Sequence, residues 1–459
     1  MPTLELPPIV TETGASSERA TYKRILTSIF LPISPAALLL RMVGAAFLIR
    51  MVVVPLVFRT LPDPTQNFGG FGWEMGWVAR SIATGHGFGS PFWPLTGPTA
   101  LVPPGFPYLL AAIFRVFGLY SLHSGFAILS IDSLFSALTC IPIYFLAKDC
   151  INDRIAHYAG WAWVIYPFSI YYSTVVWEWA LTALLFTICL ALLLRLHTIE
   201  SHAVWACFGL LYGMTALVNP SVLSVLPFLL VIALWKRSRT GLPWFSRALL
   251  TTITVIAVLT PWTLRESFVM HTFVPIRDNY WLEFYAGNTG DTFESNVAWA
   301  HPASNDAEMQ AYEQMGETRY LASKHRLATD FVVHHKLWFA EATFRRAFRY
   351  WTGFWSLNLR YLHKEPLDIP NFFYCSAITI FMLRGVRRLW VHSRSIALPF
   401  VTLIAIFPIT YYLSHSSMDY RQPIEPVIVI LAIVGIFGVF NVPSKAYRVA
   451  PLKEEFFAT

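Results

Sequence analysis

Residues 96–118 read TGPTALVPPGFPYLLAAIFRVFG, and the character of the chain changes at the Pro-Pro pair inside them. Upstream, from Arg59, runs a polar but aromatic-rich stretch. Downstream, Pro103 and Pro104 stiffen the start of an amphipathic segment over 105–119, and apolar spans then fill most of the chain. A soluble enzyme has no use for so many apolar spans, and a bundle of anchors has no use for such a loop. The pattern predicts a polytopic membrane protein that keeps its chemistry in loops against one membrane face. Those loops are this one and a second at 264–370.

Composition agrees. Of 459 residues, 55% are hydrophobic, 16% aromatic and only 13% charged, where a soluble domain carries about 25% charged residues. Mean hydropathy is +0.51. The 30 prolines and 17 tryptophans suit interrupted helices and interfacial aromatic belts. The formal charge of +7 sits in short clusters between spans, such as Lys236, Arg237, Arg239 and Arg384, Arg387, Arg388, so it speaks for membrane orientation and against nucleic acid. None of the five cysteines forms a CxxC pair and the two large loops contain none, which supports neither a disulfide framework nor a zinc site. The first thirty residues lack the short apolar core and small-residue cleavage site of a signal peptide.

Spans of about 20 apolar residues are expected near 36–58, 124–147, 155–172, 174–194, 203–219, 221–235, 248–263, 371–389, 396–413 and 424–441, about ten in all. Basic residues at Lys23 and Arg24, Lys148 and Arg154, Arg195, 236–247, 384–394 and 445–453 all fall on one side of this arrangement. Lys/Arg bias in short loops sets topology, so both termini are expected in the cytoplasm and both large loops outside. The division reads as a cytoplasmic segment at 1–35 and spans one to seven at 36–263, with the first loop at 59–123. A helical loop domain at 264–370 follows, then spans eight to ten and a cytoplasmic tail at 371–459.

In the first loop, FGWEMGWVARSI at 71–82 reads as a short interfacial helix. Met75, Val78, Ala79 and Ile82 share one face and Trp73, Trp77 and Arg80 another, with Glu74 at the boundary. A carboxylate so placed suits general-base work; the plainer reading is a solvated acid paired with Arg80. Gly85, Gly87 and Gly89 follow without the spacing of a nucleotide-binding loop.

An acid in a short helix after the first span, an Ala-Arg pair, a Gly-rich turn and Pro-Pro before an aromatic amphipathic helix together resemble the glycosyltransferase C superfamily. The nearest branch is that of the protein O-mannosyltransferases and the aminoarabinose transferases that modify lipid A. The string at 96–118 and FSALTCIPIYFLA at 135–147 look most like uncharacterised bacterial members of it. PWTLRESF at 261–268, PIRDNYWLEFYAGN at 275–288 and YRQPIEP at 420–426 extend the likeness over nearly the whole chain. Two departures stand out. The family's Asp-Glu motif would fall on Phe71 and Gly72, leaving Glu74 and the upstream Asp63 as the nearest acids. The Glu-Lys that precedes Pro-Pro in the aminoarabinose enzymes is replaced by Leu101 and Val102.

The resemblance implies an all-α membrane enzyme of the bacterial inner membrane. It would transfer a sugar, with inversion, from a polyprenyl-phosphate carrier to an extracytoplasmic protein, lipid or glycan. A carboxylate, Glu74 or in second place Asp63, would serve as base. Arg265 and Arg277 offer the planar fork that matches phosphate oxygens, although interfacial arginines also serve as anchors. The turn SHSSMDYRQPIEPV at 414–427 crowds Asp419, Arg421 and Glu425 at the start of an apolar span. The resemblance assigns Tyr420 and Arg421 there to the lipid-phosphate pocket; a plain Tyr-Arg membrane anchor is the other reading. Arg345, Arg346 and Arg349 read as the headgroup-facing side of an interfacial helix. His301, His334 and His335 have no partner at metal-ligand spacing, so no metal is assigned, although an acid beside a lipid phosphate is a group that could hold Mg²⁺ or Mn²⁺. Two other functions compete: a transporter or flippase of lipid-linked sugars, and a non-catalytic scaffold that kept the fold.

Overall fold

The computed structural model describes residues 34–58, 70–93, 95–289, 298–354, 356–357, 359–364 and 366–439. Asp63 lies outside them. Among the described residues the secondary structure is helical apart from one isolated bridge, Gly89 to Pro98. The first span is α1 (Pro35–Phe58). The first loop carries α2 (Trp73–Ala83) and leads through Pro103 and Pro104 into α3 (Gly105–Phe117). Then come α4 (Leu122–Leu138), α5 (Cys140–Cys150), α6 (Asp153–Val164), α7 (Pro167–Tyr172), α8 (Trp179–Leu196), α9 (His202–Val218), α10 (Leu226–Arg239) and α11 (Phe245–Met270). The second loop holds α12 (Tyr280–Asn288), α13 (Asp306–Met315), α14 (Glu317–His334), α15 (Lys336–Thr352) and α16 (Leu359–Lys364). The chain closes with α17 (Asp368–His392), α18 (Arg394–Ile406), α19 (Ile409–Leu413) and α20 (Glu425–Phe437).

The protein is a multi-pass membrane protein: six helical stretches are long and apolar enough to cross a bilayer. Each of the ten expected spans coincides with helix, but four are short or broken, and the breaks have local causes. Pro167 has no N–H to give the carbonyl of Trp163, so the expected span at 155–172 divides between α6 and α7. The freed carbonyls of Trp163 and Val164 accept hydrogen bonds from Arg50, which is buried in α1 and also donates to Ser136 and Ser169. The charge of Arg50 at membrane depth is thus spent on mending a broken helix. Pro220 similarly ends α9, and Asn219 Oδ1 accepts the N–H of Ser221 to start a 3₁₀ turn at Pro220–Ser224.

The short last helix, α20, is buried along Glu425–Gly435 and is the centre of the bundle. It crosses α17 at a reciprocal glycine contact. A Cβ on Gly385 would meet the Leu431 carbonyl at 1.9 Å, and one on Gly435 would meet that of Phe381 at 1.9 Å. Backbones this close gain dispersion contacts and exclude side chains, as small residues do at membrane helix interfaces.

Above the bundle the two loops are stapled together. The Glu317 carboxylate, at the start of α14, accepts hydrogen bonds from the Thr99 hydroxyl (2.5 Å), the Ala100 N–H (2.6 Å) and the Tyr312 hydroxyl (2.7 Å). Arg265, near the end of α11, donates to the carbonyls of Phe88 and Thr99 and pairs with Glu266 at 2.8 Å.

Candidate active site

Gly72 sets the place of Glu74. It has a left-handed φ of 100°, and a Cβ there would lie 3.1 Å from the carbonyl of Val176, in the turn that leads to α8. An acid at position 72, where the family pattern would put one, would be strained and crowded. The helix starts at Trp73, and the first carboxylate it offers is Glu74. This helix is not interfacial: Met75 to Ile82 are all buried. Arg80 does not pair with Glu74 but lies between the rings of Trp77 (4.8 Å) and Trp93 (4.2 Å).

Glu74 faces a cavity of about 320 Å³ enclosed by five chain segments. The turn before α8 contributes Trp177, Glu178 and Trp179. The break after α9 contributes Asn219 and Ser221. The second loop contributes Arg277, Tyr280, Glu283 and His301, and the final turn Tyr411, His415 and Tyr420. Leu101 and Val102, which replace the Glu-Lys of the aminoarabinose enzymes, line the cavity with apolar surface. At this size it matches the small end of ligand cavities, about 300–1,000 Å³, enough for a sugar ring and a phosphate.

Two carboxylate–histidine pairs line it. Nε2 of His301 lies 2.8 Å from Oε1 of Glu74, and Nδ1 of His301 accepts the N–H of Ala303 at 3.2 Å. With Nδ1 an acceptor, the ring hydrogen sits on Nε2 and is donated to Glu74. Burial opposes protonation of His301, but the hydrogen bond to Glu74 and the charges of Glu74 and Glu283 outweigh it and raise its pKa. Across the cavity His415 Nδ1 stands 3.6 Å from Glu283 Oε2 and 3.4 Å from the Tyr420 hydroxyl. Burial pushes the Glu283 carboxyl up, yet the His415 contact and the charges of His415, His301 and Arg277 bring it below its usual range.

Glu178 behaves oppositely. It is 4% exposed, its Oε1 accepts from Asn219 Nδ2 at 3.2 Å, and burial pushes its pKa up to about 8 against the pull of Arg277. Sequence reading missed it because TVVWEWALTALL looks like an uninterrupted apolar span; the only signal was an acid between two tryptophans.

The six proposed site residues separate. Glu74, Arg277 and Tyr420 share the cavity. Arg265 is committed to the backbone carbonyls of the first loop, outside the lining. Arg421 is fully buried, with Nε 2.8 Å from Glu425 Oε1, and does not reach the cavity either. Asp63 falls outside the described residues. Among the described residues Arg277 makes no hydrogen bond or ion pair with protein. Arg346 and Arg349, expected to face headgroups, are instead buried; Arg346 donates to the carbonyls of Tyr412 and Gly287 and to Asn288. Among the described residues, no three His, Cys, Asp or Glu side chains are grouped so as to hold a metal ion.

Residues 101–262 match the family described as dolichyl-phosphate-mannose-protein mannosyltransferase, in agreement with the resemblance to the glycosyltransferase C superfamily read from the sequence. No curated protein gives a significant match. Among solved structures, the apo oligosaccharyltransferase of Archaeoglobus fulgidus is 14% identical, with a TM-score of 0.48 over 86% of this chain and 50% of that one. ArnT from Cupriavidus metallidurans, in the apo state, is 17% identical, with a TM-score of 0.45 over 84% of this chain and 58% of that one. The chain thus spans about half the length of the solved proteins it is similar to.

Proposed function

We propose that the protein is an integral membrane glycosyltransferase. In this reading it moves a sugar from a polyprenyl-phosphate carrier to an acceptor hydroxyl on the extracytoplasmic side, with inversion at the anomeric carbon. The observation that carries this reading is the unpaired Arg277 in one small cavity with the Glu74–His301 pair. The cation suits the carrier's phosphate and the carboxylate suits the acceptor's proton.

The acceptor hydroxyl gives its proton to Glu74 as its oxygen attacks the anomeric carbon. On the opposite face the bond to the phosphate oxygen breaks, and its electron pair stays with the phosphate. Charge gathers on that phosphate in the transition state, where a fixed guanidinium in a water-poor site stabilises it most. His301 holds Oε1 of Glu74 through Nε2–H and leaves Oε2 to meet the acceptor. Trp177, Trp179 and Tyr411 line the space where the sugar would sit.

Glu74→Gln tests this. The amide keeps the shape and the bond to His301 but cannot take a proton. Transfer should fall by about 10²–10⁴ while a fluorescent polyprenyl-phosphate sugar still binds. Full activity in the variant would remove Glu74 from the mechanism.

A further inference from the structure

Behind Glu178 the bundle holds polar atoms that nothing among the described residues satisfies. Asp132, in α4, is 1% exposed, and neither of its carboxylate oxygens has a hydrogen-bond partner there. It is an electrostatic neighbour of Glu178, and α4 packs directly on α8. The Oε2 of Glu178, the hydroxyl of Ser133 beside Asp132, and the hydroxyl of Thr182 one turn beyond Glu178 are likewise buried and unpartnered. Hydroxyls elsewhere in these helices bond the carbonyl four residues back, as Thr187 does to Ala183 and Ser130 to Phe126. Ser133 and Thr182 do not. These five buried oxygens without partners, three of them on the two carboxyls, are groups that internal water or a shared proton would satisfy.

Among the described residues no cation is hydrogen-bonded to either acid. Arg277 acts on Glu178 from the cavity side and Asp419 from the final turn, Asp132 is its electrostatic neighbour within the bundle, and Asn219 is its side-chain hydrogen-bond donor. Two deeply buried carboxyls that are electrostatic neighbours, with no cation hydrogen-bonded to either, are not stable when both are charged; such pairs share a proton.

We propose that Glu178 and Asp132 form a proton-holding pair, in which Glu178 is the acid that protonates the departing phosphate and Asp132 is the positioning residue that keeps that proton in place. The proposal rests on the glycosyl-transfer reading above. As the bond between the anomeric carbon and the phosphate oxygen breaks, its electron pair remains on the phosphate, which takes the proton of Glu178. The acceptor's proton is by then on Glu74. After the products leave, Glu74 returns its proton to water and Glu178 regains one, so the cycle closes with no net change in the protein. The burial that holds Glu178 protonated near neutral pH supports this.

Infrared spectroscopy of the full chain in lipid nanodiscs tests the pair without any turnover. The wild type should show a protonated-carboxyl stretch at pH 7 that shifts in D₂O and disappears on alkaline titration. Glu178→Gln should remove one component of it, the component that reports the pair, since burial also raises the pKa of Glu266 to about 7 and that of Asp278 to about 8 and these contribute their own. Asp132→Asn, which deletes a neighbouring negative charge, should lower the pH at which it disappears, and should move the alkaline limb of the transfer rate in the same direction with carrier binding unchanged. Asp132→Glu should restore both midpoints. The absence of a titrating carboxyl band in the wild type would overturn the proposal. So would an Asp132→Asn midpoint equal to that of the wild type, or displacement of the proton by millimolar Na⁺, which would make this a cation site. If the band titrates as expected while Glu74→Gln remains fully active, the proton pair stands and only the assignment of the base falls.

Discussion

Tyr420 and Arg421 are neighbours in sequence and belong to different worlds. Tyr420 faces the cavity, stacked on Tyr411 with ring centroids 4.7 Å apart. Arg421 turns into the bundle, where it pairs with Glu425 and lies near the carbonyls of Tyr350 and Trp351 at 3.4 Å. The second oxygen of Glu425 accepts the Tyr166 hydroxyl at 2.6 Å. The cavity and this knot hold the same residue types, arginine, glutamate and tyrosine. They differ in pairing. In the knot the opposite charges are matched within one pair. In the cavity Arg277 is unmatched, while burial holds Glu178 above the usual carboxylate range and the neighbouring charges hold Glu283 below it. Paired charge locks the final turn onto α15 and the break between α6 and α7, whereas Arg277 has no such partner among the described residues.

The knot gives the largest expected effect. Arg421→Ala leaves the Glu425 carboxylate buried without its cation, and breaking a buried pair from one side costs about 3–5 kcal/mol. Thermal unfolding in detergent should show a large loss of stability, and any loss of transfer should track the loss of folded protein. Replacing both partners, as Arg421→Met with Glu425→Leu, should recover most of the stability, because a well-packed apolar pair replaces a desolvated ionic one. A stable, folded Arg421→Ala protein that no longer binds the carrier would put Arg421 back in the phosphate pocket and erase the contrast.

Arg277 should show the reverse pattern. Arg277→Ala removes a charge that makes no hydrogen bond or ion pair among the described residues and acts on Glu178 and Glu283 only through space, so the unfolding midpoint should move far less than in Arg421→Ala. The transfer rate should fall by about 10²–10³, the usual cost of losing one preorganised donor to a developing anion. Arg277→Lys should recover part of the rate, since it restores the charge without the planar fork. A drop in stability as large as that of Arg421→Ala would mean that Arg277 is structural after all.

The same contrast explains what the sequence could and could not convey. Helical spans, the Pro-Pro start of α3 and the two loops were legible because periodicity and apolar length are local. Glu74 and Arg277 could be singled out as candidates because each sits in a polar segment where its residue type stands out, and both line one cavity. Arg421 looked functional for the same reason, but its partner lies one helical turn away at Glu425, and burial decides its role. His301 was set aside for want of metal-ligand spacing; its actual partner is in the other loop, which no local pattern reveals. Glu178 and Asp132 were hidden by their surroundings, since an acid within an apolar run does not lower mean hydropathy enough to interrupt it. The arginines of α15 followed helical periodicity onto an outer face, whereas the carbonyls of Gly287 and Tyr412 draw Arg346 inward.

The smallest effect concerns the latch between the loops. His301 has a folded pKa above its ordinary value of 6.5, so protonation favours the folded state. That contribution is fully present below about pH 6.5 and is lost as pH rises through the folded value. The stability of the wild type should therefore decline across that window, and His301→Gln should flatten the decline. The variant should cost about 1 kcal/mol at pH 6, the usual net worth of one hydrogen bond, and little at pH 9. Because the substituted amide could still donate to Glu74, transfer at alkaline pH should be the least affected. A wild-type unfolding midpoint that rises over the same window would show that Glu74 and His301 do not meet in solution, and the pairing between the first and second loops would then rest on Glu317 and Arg265.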